Sequence, residues 1–233
     1  MDRISIHWAA QMDYDQAWEW QKERVSQHQE DLDLPDELLL LEHPPTYTLG
    51  RSGKLDHLLV TTEKLDAGGF DLRWVDRGGD ITYHGPGQLV GYPILNLRRL
   101  FIRRGRERPD LHQYLRDLEE VLIQTLAQFG LNGWRYPGYT GVWVQGPSGP
   151  EKIAAIGVRV SAQGISSHGF SLNVNPKLEH FDNIIPCGIR EHQVTSMAKE
   201  RQRPYSPTDL LEPICRAFCR VFQYETHYQL DMV

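Results

Sequence analysis

The chain has 233 residues, a formal net charge of −6 and three cysteines. That length suits one domain spanning 1–233 that buries a core without staples, and the acidic balance argues against a general nucleic-acid binder. An odd cysteine count with no CxxC pair argues against a disulfide framework. With an N-terminus that carries acids and lacks a signal-peptide core, and no 18-residue apolar run, it points to a cytoplasmic protein with no membrane span.

Residues 3–9 (RISIHWA) alternate and predict a strand, and Tyr14 to Gln29 predicts a helix with Trp18 and Val25 on its apolar face. ELLLLE (37–42) reads as a buried strand ended by His43-Pro44-Pro45, with 46–50 (TYTLG) as its continuation. FDLRWVD (70–76) and QLVGYPILNL (88–97) are further strands, the second irregular or at an edge because of Pro93. The segment 103–109 reads as a charged loop. Leu111–Phe129 is the clearest helix, with Leu111, Leu115, Leu118, Leu122 and Leu126 on one face and Gly130 as its stop. Three strands follow, 141–145, 152–161 and 165–175, with a turn at 146–149. Then come a helix over 207–222 and a final strand over 224–230. Adjacent strands with few intervening helices predict an α+β architecture, a mixed or mostly antiparallel sheet with packed helices.

Three stretches carry candidate chemistry. RGGDITYHGPGQLVGYP (77–93) sets five glycines beside Arg77, Asp80, Thr82, Tyr83 and His84. Glycine permits tight turns and close approach of a ligand to the backbone, so this composition fits a binding cleft, although two hairpin turns would also account for it. It is no phosphate loop. The nearest Walker-like run, Gly50-Arg51-Ser52-Gly53-Lys54-Leu55, has the wrong spacing. Cys215 and Cys219 sit four apart among apolar helix residues, which reads as packing. No metal site is expected, because no matching Cys or His pairs stand at ligand spacing. His84 and His168 lie in glycine-containing polar turns that fit a cleft, whereas His7, His28 and His227 read as surface residues.

Cys187 is different, lying between Pro186 and Gly188 in NIIPCGIREH, a turn where a thiol can face a cleft. A thiol of ordinary pKa, about 8.5, is only about 3% ionised at pH 7. Bringing a thiol to half ionisation takes about 2 kcal/mol. An ammonium about 4 Å away supplies on the order of 4 kcal/mol at an intermediate dielectric, before desolvation. Lys152, heading the apolar strand KIAAIGV, is the candidate cation, and a solvated strand end is the plain alternative.

Taken together, EHPPTYTLGR (42–51), RGGDITYHGPGQLVGYPILNL (77–97), KIAAIGVRV (152–160), HGFSLNVN (168–175) and PCGI (186–189) resemble the lipoyl(octanoyl) transferases, in that family's order and spacing. The resemblance implies a fold like the catalytic domains of biotin protein ligases and lipoate ligases. It implies transfer of octanoyl from octanoyl-acyl carrier protein to a lysine of a lipoyl domain, on E2 subunits of 2-oxoacid dehydrogenases or the glycine cleavage H protein. By position, Cys187 matches the acyl-accepting cysteine and Lys152 its activating lysine. Arg77, Gly78, Gly79, Asp80, Ile81, Thr82, Tyr83 and His84 match substrate-binding segments, as do Ala155, Ile156 and Gly157, and Gly169, Phe170 and Ser171. Asp80 departs from the pattern, since Gln is frequent there. No cofactor is implied, and a monomer is expected. Because both protein substrates are expected to be acidic, Arg98, Arg99, Arg103, Arg104, Arg106 and Arg108 are a candidate docking loop; a solvated loop is the alternative. Competing readings are an ATP-dependent lipoate or biotin ligase, a non-catalytic binding module, a cysteine peptidase pairing Cys187 with His84 or His168, and a nucleic-acid binder using the arginines.

Overall fold

A computed structural model describes residues 3–147, 149–189, 191–225 and 230–232. The chain opens with strand β1 (Ile4–Ala9), helix α1 (Tyr14–Glu30), and strands β2 (Asp36–Leu41) and β3 (Thr46–Leu49). Helix α2 (Thr62–Ala67) and strands β4 (Asp71–Trp74), β5 (Ile81–His84) and β6 (Gln88–Ile94) follow, then helices α3 (Leu97–Arg103) and α4 (Leu111–Gln128). Strands β7 (Val142–Gly146), β8 (Gly149–Val160) and β9 (Ser166–Asn173) lead into helices α5 (Met197–Arg201) and α6 (Leu211–Phe222) and strand β10 (Leu230–Met232). Short 3₁₀ turns occupy Leu55–His57, Leu178–Asn183, Pro186–Gly188 and Pro207–Leu210. The architecture is α+β.

Seven strands form the main sheet in the order β10-β1-β2-β6-β9-β8-β7. β1 runs parallel to both β10 and β2, and the remaining pairs are antiparallel. The run LLLL in β2 is apolar throughout because both faces are covered. Leu38 and Leu40 pack into the cluster shared with α4 and α6, while Leu39 and Leu41 pack with Ala17 of α1. α4 starts where the Asp110 side chain accepts from the Gln113 N–H at 3.0 Å. α6 is approached through a capping box, the Ser206 N–H donating to Asp209 at 2.8 Å. Cys215 and Cys219 are fully buried on α6, and burial pushes their thiols up to about 12 and about 11. They are packing residues, as their spacing predicts.

Several expectations need correction. Residues 46–50 do not continue β2. Pro44 and Pro45 break the path, and β3 becomes the centre of a second sheet, β4-β3-β5, parallel to β4 and antiparallel to β5. For the glycine-rich segment, the alternative of two hairpin turns is ruled out. β5 lies in the small sheet and β6 in the large one, so the turn Gly85–Gly87 hands the chain from one sheet to the other. The buried line on α1 is Tyr14, Ala17, Gln21 and His28, with Trp18 and Val25 half-buried beside it. His28 is therefore not a surface residue: its ring bridges the Arg24 and Pro35 carbonyls at 2.8 and 3.0 Å. His7 is mostly covered and bonds Glu37 at 3.0 Å. His227 and most of the expected strand 224–230 lie outside the described residues.

The arginine-rich stretch is partly helix rather than loop. From α3, Arg99 reaches the Leu34 carbonyl at 2.8 Å and the buried Asp36 carboxylate at 2.9 Å. Arg103 donates to the Phe222 carbonyl at 2.7 Å. Arg104 pairs with Asp117 and donates to the Val221 carbonyl at 2.6 Å. These three side chains pin α3 to the body of the protein. Arg98, Arg106 and Arg108 are exposed.

Candidate active site

The ammonium nitrogen of Lys152 stands 3.5 Å from the Cys187 sulfur. Lys152 lies on β8, where Gln193 and Thr195 bond its backbone at 2.9 Å each. Its side chain, 7% exposed, passes over the Trp143 ring at 5.3 Å and close to Gly141. A Cβ on Gly141 would come within 2.9 Å of Lys152 Cε, so glycine clears the lysine's path. Trp143, fully buried and ringed by Tyr136, Tyr139 and His192, forms the floor under the cation.

Cys187 occupies the 3₁₀ turn Pro186–Gly188 with φ 56° and ψ 20°, the left-handed region. For a residue with a side chain that conformation costs about 1 kcal/mol or more and persists only where neighbours hold it. The turn is closed by Gly188 N–H to the Ile185 carbonyl and Ile189 N–H to the Pro186 carbonyl, 3.0 Å each. The thiol is half-buried, unlike those of Cys215 and Cys219. It faces a narrow cleft of about 50 Å³ at the junction of the two sheets, and a smaller recess of about 10 Å³ lies between it, Lys152 and Phe181.

Of the residues singled out for substrate binding, Arg77, Gly78, Gly79, Asp80, Thr82 and His84 line this cleft. So do Ala155, Ile156, Gly157, Gly169, Phe170 and Ser171. β8 and β9 bring the last two triplets together, Ile156 opposite Phe170 and Gly157 opposite Gly169. Ile81 and Tyr83 face the other way. Strand alternation on β5 sends them into the small-sheet core with Tyr47, Leu49 and Phe181. Tyr14 and Tyr92 also line the cleft, and the sequence reading did not single them out. Their only signals are a helix start and a tyrosine inside the strand QLVGYPI.

One wall of the cleft is a buried polar network. Arg77 donates to the Thr48 carbonyl at 2.7 Å and hydroxyl at 2.8 Å, and burial pulls its guanidinium below the ordinary range. His43 bridges the Met12 carbonyl and the Tyr92 hydroxyl at 2.7 Å each, and burial holds it down to about 4. Burial, with the neighbouring His43, lowers His84 as well. His168 bonds Asp76 at 2.7 Å, yet desolvation outweighs the carboxylate and lowers it too. Burial pushes the Tyr14 hydroxyl up to about 12. These imidazoles are thus neutral near pH 7. Among the described residues, Arg77 Nε, His84 Nδ1 and His168 Nδ1 are buried with no hydrogen-bond partner. Among the described residues the sulfur's hydrogen-bond partner is Lys152, and neither His84 nor His168 bonds it. No cluster of three or more His, Cys, Asp or Glu groups among them could hold a metal.

The thiol of Cys187 and the side-chain nitrogen of Lys152 are thus in contact beside a cleft lined by glycines, apolar side chains and a buried polar network. The chain belongs to the lipoyl protein ligase A/B catalytic domain family, whose model matches residues 13–219. It is 53% identical over 191 residues to an octanoyltransferase of Rubrobacter xylanophilus, covering 82% of this chain and 80% of that one. It is 45% identical over 231 residues to an octanoyltransferase of a Synechococcus species, covering 94% and 86%. Among solved structures, the archaeal bipartite lipoate protein ligase of Thermoplasma acidophilum aligns with a TM-score of 0.71 at 15% identity, covering 100% of this chain and 88% of that one. The biotin protein ligase of Aquifex aeolicus aligns with a TM-score of 0.51 at 13% identity, covering 96% and 70%. The fold is that of these ligase domains.

Proposed function

We propose that this chain is an octanoyltransferase that moves an octanoyl group from octanoyl-acyl carrier protein to a lysine of a lipoyl domain, in lipoate biosynthesis. The observation that carries this reading is the 3.5 Å contact between Lys152 and Cys187 at the cleft, supported by octanoyltransferase relatives at 53% and 45% identity.

In the first half-reaction the Cys187 thiolate attacks the carrier's thioester carbonyl. A new C–S bond forms, the C–S bond to the carrier's thiol breaks, and the Lys152 ammonium gives that leaving sulfur a proton. One thioester replaces another, so no nucleotide is consumed. In the second half, the neutral ε-amine of the acceptor attacks the acyl-enzyme. A C–N bond forms, Cys187 departs as thiolate, and the amine's proton passes to Lys152, which regains its charge. Amide formation drives the sequence forward.

The glycines of 77–79, Gly157 and Gly169 let the acyl thioester lie against the backbone, with Ile156 and Phe170 as its apolar wall. Arg77, Thr82, His84, Ala155 and Ser171 complete the enclosure, and Ile81 and Tyr83 act from behind by fixing β5. The acceptors in this reading are E2 subunits and the glycine cleavage H protein. The enzyme works as a cytoplasmic monomer of one catalytic domain with no nucleic acid and no cofactor, and three unpaired thiols suit that compartment.

The test is an ATP-free assay with octanoyl-acyl carrier protein and an unmodified lipoyl domain. Octanoylation of the domain is the expected result. Modification only with free octanoate and ATP would identify a ligase instead, and binding without modification a non-catalytic module.

A further inference from the structure

We propose that His57 and Asp80 are positioning residues that hold the Cys187 turn in its reactive shape. Asp80 lies among the residues matched to substrate binding, but both of its oxygens are already occupied. Oδ1 accepts from the Lys54 N–H at 3.1 Å and its own neighbour Ile81 N–H at 2.7 Å. Oδ2 takes the Nδ1–H of His57 in a short hydrogen bond. The pair packs directly against the turn: a Cβ on Gly188 would stand 2.8 Å from Asp80 Oδ2 and 3.2 Å from His57 Cε1. The main chain of His57 grips the same turn, its carbonyl accepting from the Ile185 N–H at 2.8 Å.

The turn needs such support. Cys187 and Gly188 both have positive φ, 56° and 70°, and a left-handed cysteine relaxes unless its surroundings over-determine it. His57 braces the entry of the turn through its backbone and the exit through its ring, with Asp80 fixing the ring. Lys152 approaches the sulfur from β8, on a different element. The 3.5 Å contact thus depends on the brace holding the sulfur where the lysine already points.

This inference rests on Cys187 being the nucleophile, so its test reads the thiol directly as well as the reaction. Cys187 carbamidomethylation by iodoacetamide at pH 7 is timed by peptide mass spectrometry, with buried Cys215 and Cys219 as internal references. Wild type, His57→Ala, Asp80→Ala, Asp80→Asn and the double alanine variant are compared, and kcat and KM for octanoyl-acyl carrier protein are measured on each. His57→Ala and Asp80→Ala are expected to slow alkylation and lower kcat about tenfold, as misplacement of a reacting atom does, with KM for the donor little changed. Asp80→Asn keeps an acceptor for the Lys54 and Ile81 N–H groups but turns an amide donor toward His57 Nδ1–H, so it is expected to fall between wild type and Asp80→Ala in both alkylation rate and kcat. The double variant falls no further than Asp80→Ala, because the two residues act as one unit. If Asp80→Ala loses its cooperative thermal transition, His57→Ala decides alone. Wild-type alkylation and kcat in His57→Ala overturn the proposal, as does a raised KM with unchanged kcat, which marks a substrate contact. An alkylation pattern as expected, in a protein that transfers no octanoyl, keeps the brace and removes the octanoyl reading.

Discussion

Lys152 and Cys187, 35 positions apart in the chain, meet at 3.5 Å between ammonium nitrogen and sulfur. The lysine arrives on a strand of the main sheet and the cysteine on a turn packed against the small sheet. The pair therefore sits where the two sheets join, and each partner is fixed by a different part of the core.

Replacing Lys152 with Met keeps a side chain of similar length over Trp143 and removes the charge. Transfer is expected to fall by about 10² to 10⁴, the usual contribution of a positioned acid or base, while thermal stability changes little. Steady-state transfer kinetics beside a melting curve check this. Activity within twofold of wild type would show that the ammonium plays no chemical part.

Gly188→Ala tests the turn itself. The substitution forces a side chain into a φ of 70° and against Asp80, costing about 1 kcal/mol or more in backbone conformation alone. Transfer is expected to drop more than tenfold, read in the same assay, with the fold retained by circular dichroism. Gly105, with φ 73° and open space around it, carries comparable backbone strain as Ala far from the thiol, and Gly105→Ala is expected to keep full activity.

Acid should destabilise the fold through its buried imidazoles. A histidine titrating near 6.5 when unfolded is held down to about 4 at His43, and His84 shifts the same way. Between those values the unfolded chain binds a proton that the folded chain refuses. The stability is therefore complete above about pH 6.5 and is lost as pH falls toward 4. From pH 7 to pH 5 the His43 contribution is a loss of about 2 kcal/mol. Urea unfolding at the two pH values measures it, and His43→Gln should flatten the difference.

Arg104 should matter for stability rather than docking. Arg104→Ala strands the largely buried Asp117 carboxylate and frees the Val221 carbonyl, for an expected loss of about 3 kcal/mol in denaturant unfolding. In the docking reading proposed for this region, the exposed Arg98, Arg106 and Arg108 are the side chains left to meet the carrier. Their joint reversal to Glu is expected to raise the KM for the carrier without lowering stability by more than about 1 kcal/mol.

Much of the site was legible from its motifs in combination. A cysteine between Pro186 and Gly188, a lysine heading an apolar strand and five glycines within 77–93 each admit a plain structural explanation alone, and it is their occurrence together in the order of the family's motifs that points to chemistry. The long periodic elements, α4 and β2, were legible for a different reason: Leu118, Leu122 and Leu126 of α4 and Leu38–Leu41 of β2 are buried as their patterns predict, although Leu111 at the start of α4 is exposed and Leu115 half-buried. What escaped was set by tertiary contact. His57 sits in the unremarkable run LDHLL, and its role arises only when Asp80 and Gly188 fold against it. α3 was masked by arginines whose charges are met by the carbonyls of Leu34, Val221 and Phe222, far off in sequence. The second sheet was hidden because periodicity cannot say which sheet a strand joins.

The most direct measurement of the central claim is intact-protein mass spectrometry after mixing with octanoyl-acyl carrier protein, in the absence of nucleotide and acceptor. Wild type is expected to gain one octanoyl mass, removable by hydroxylamine and mapped to Cys187, while Cys187→Ser gains no thioester. An unmodified wild type that nonetheless octanoylates a lipoyl domain, or an adduct that survives in Cys187→Ser, would contradict it.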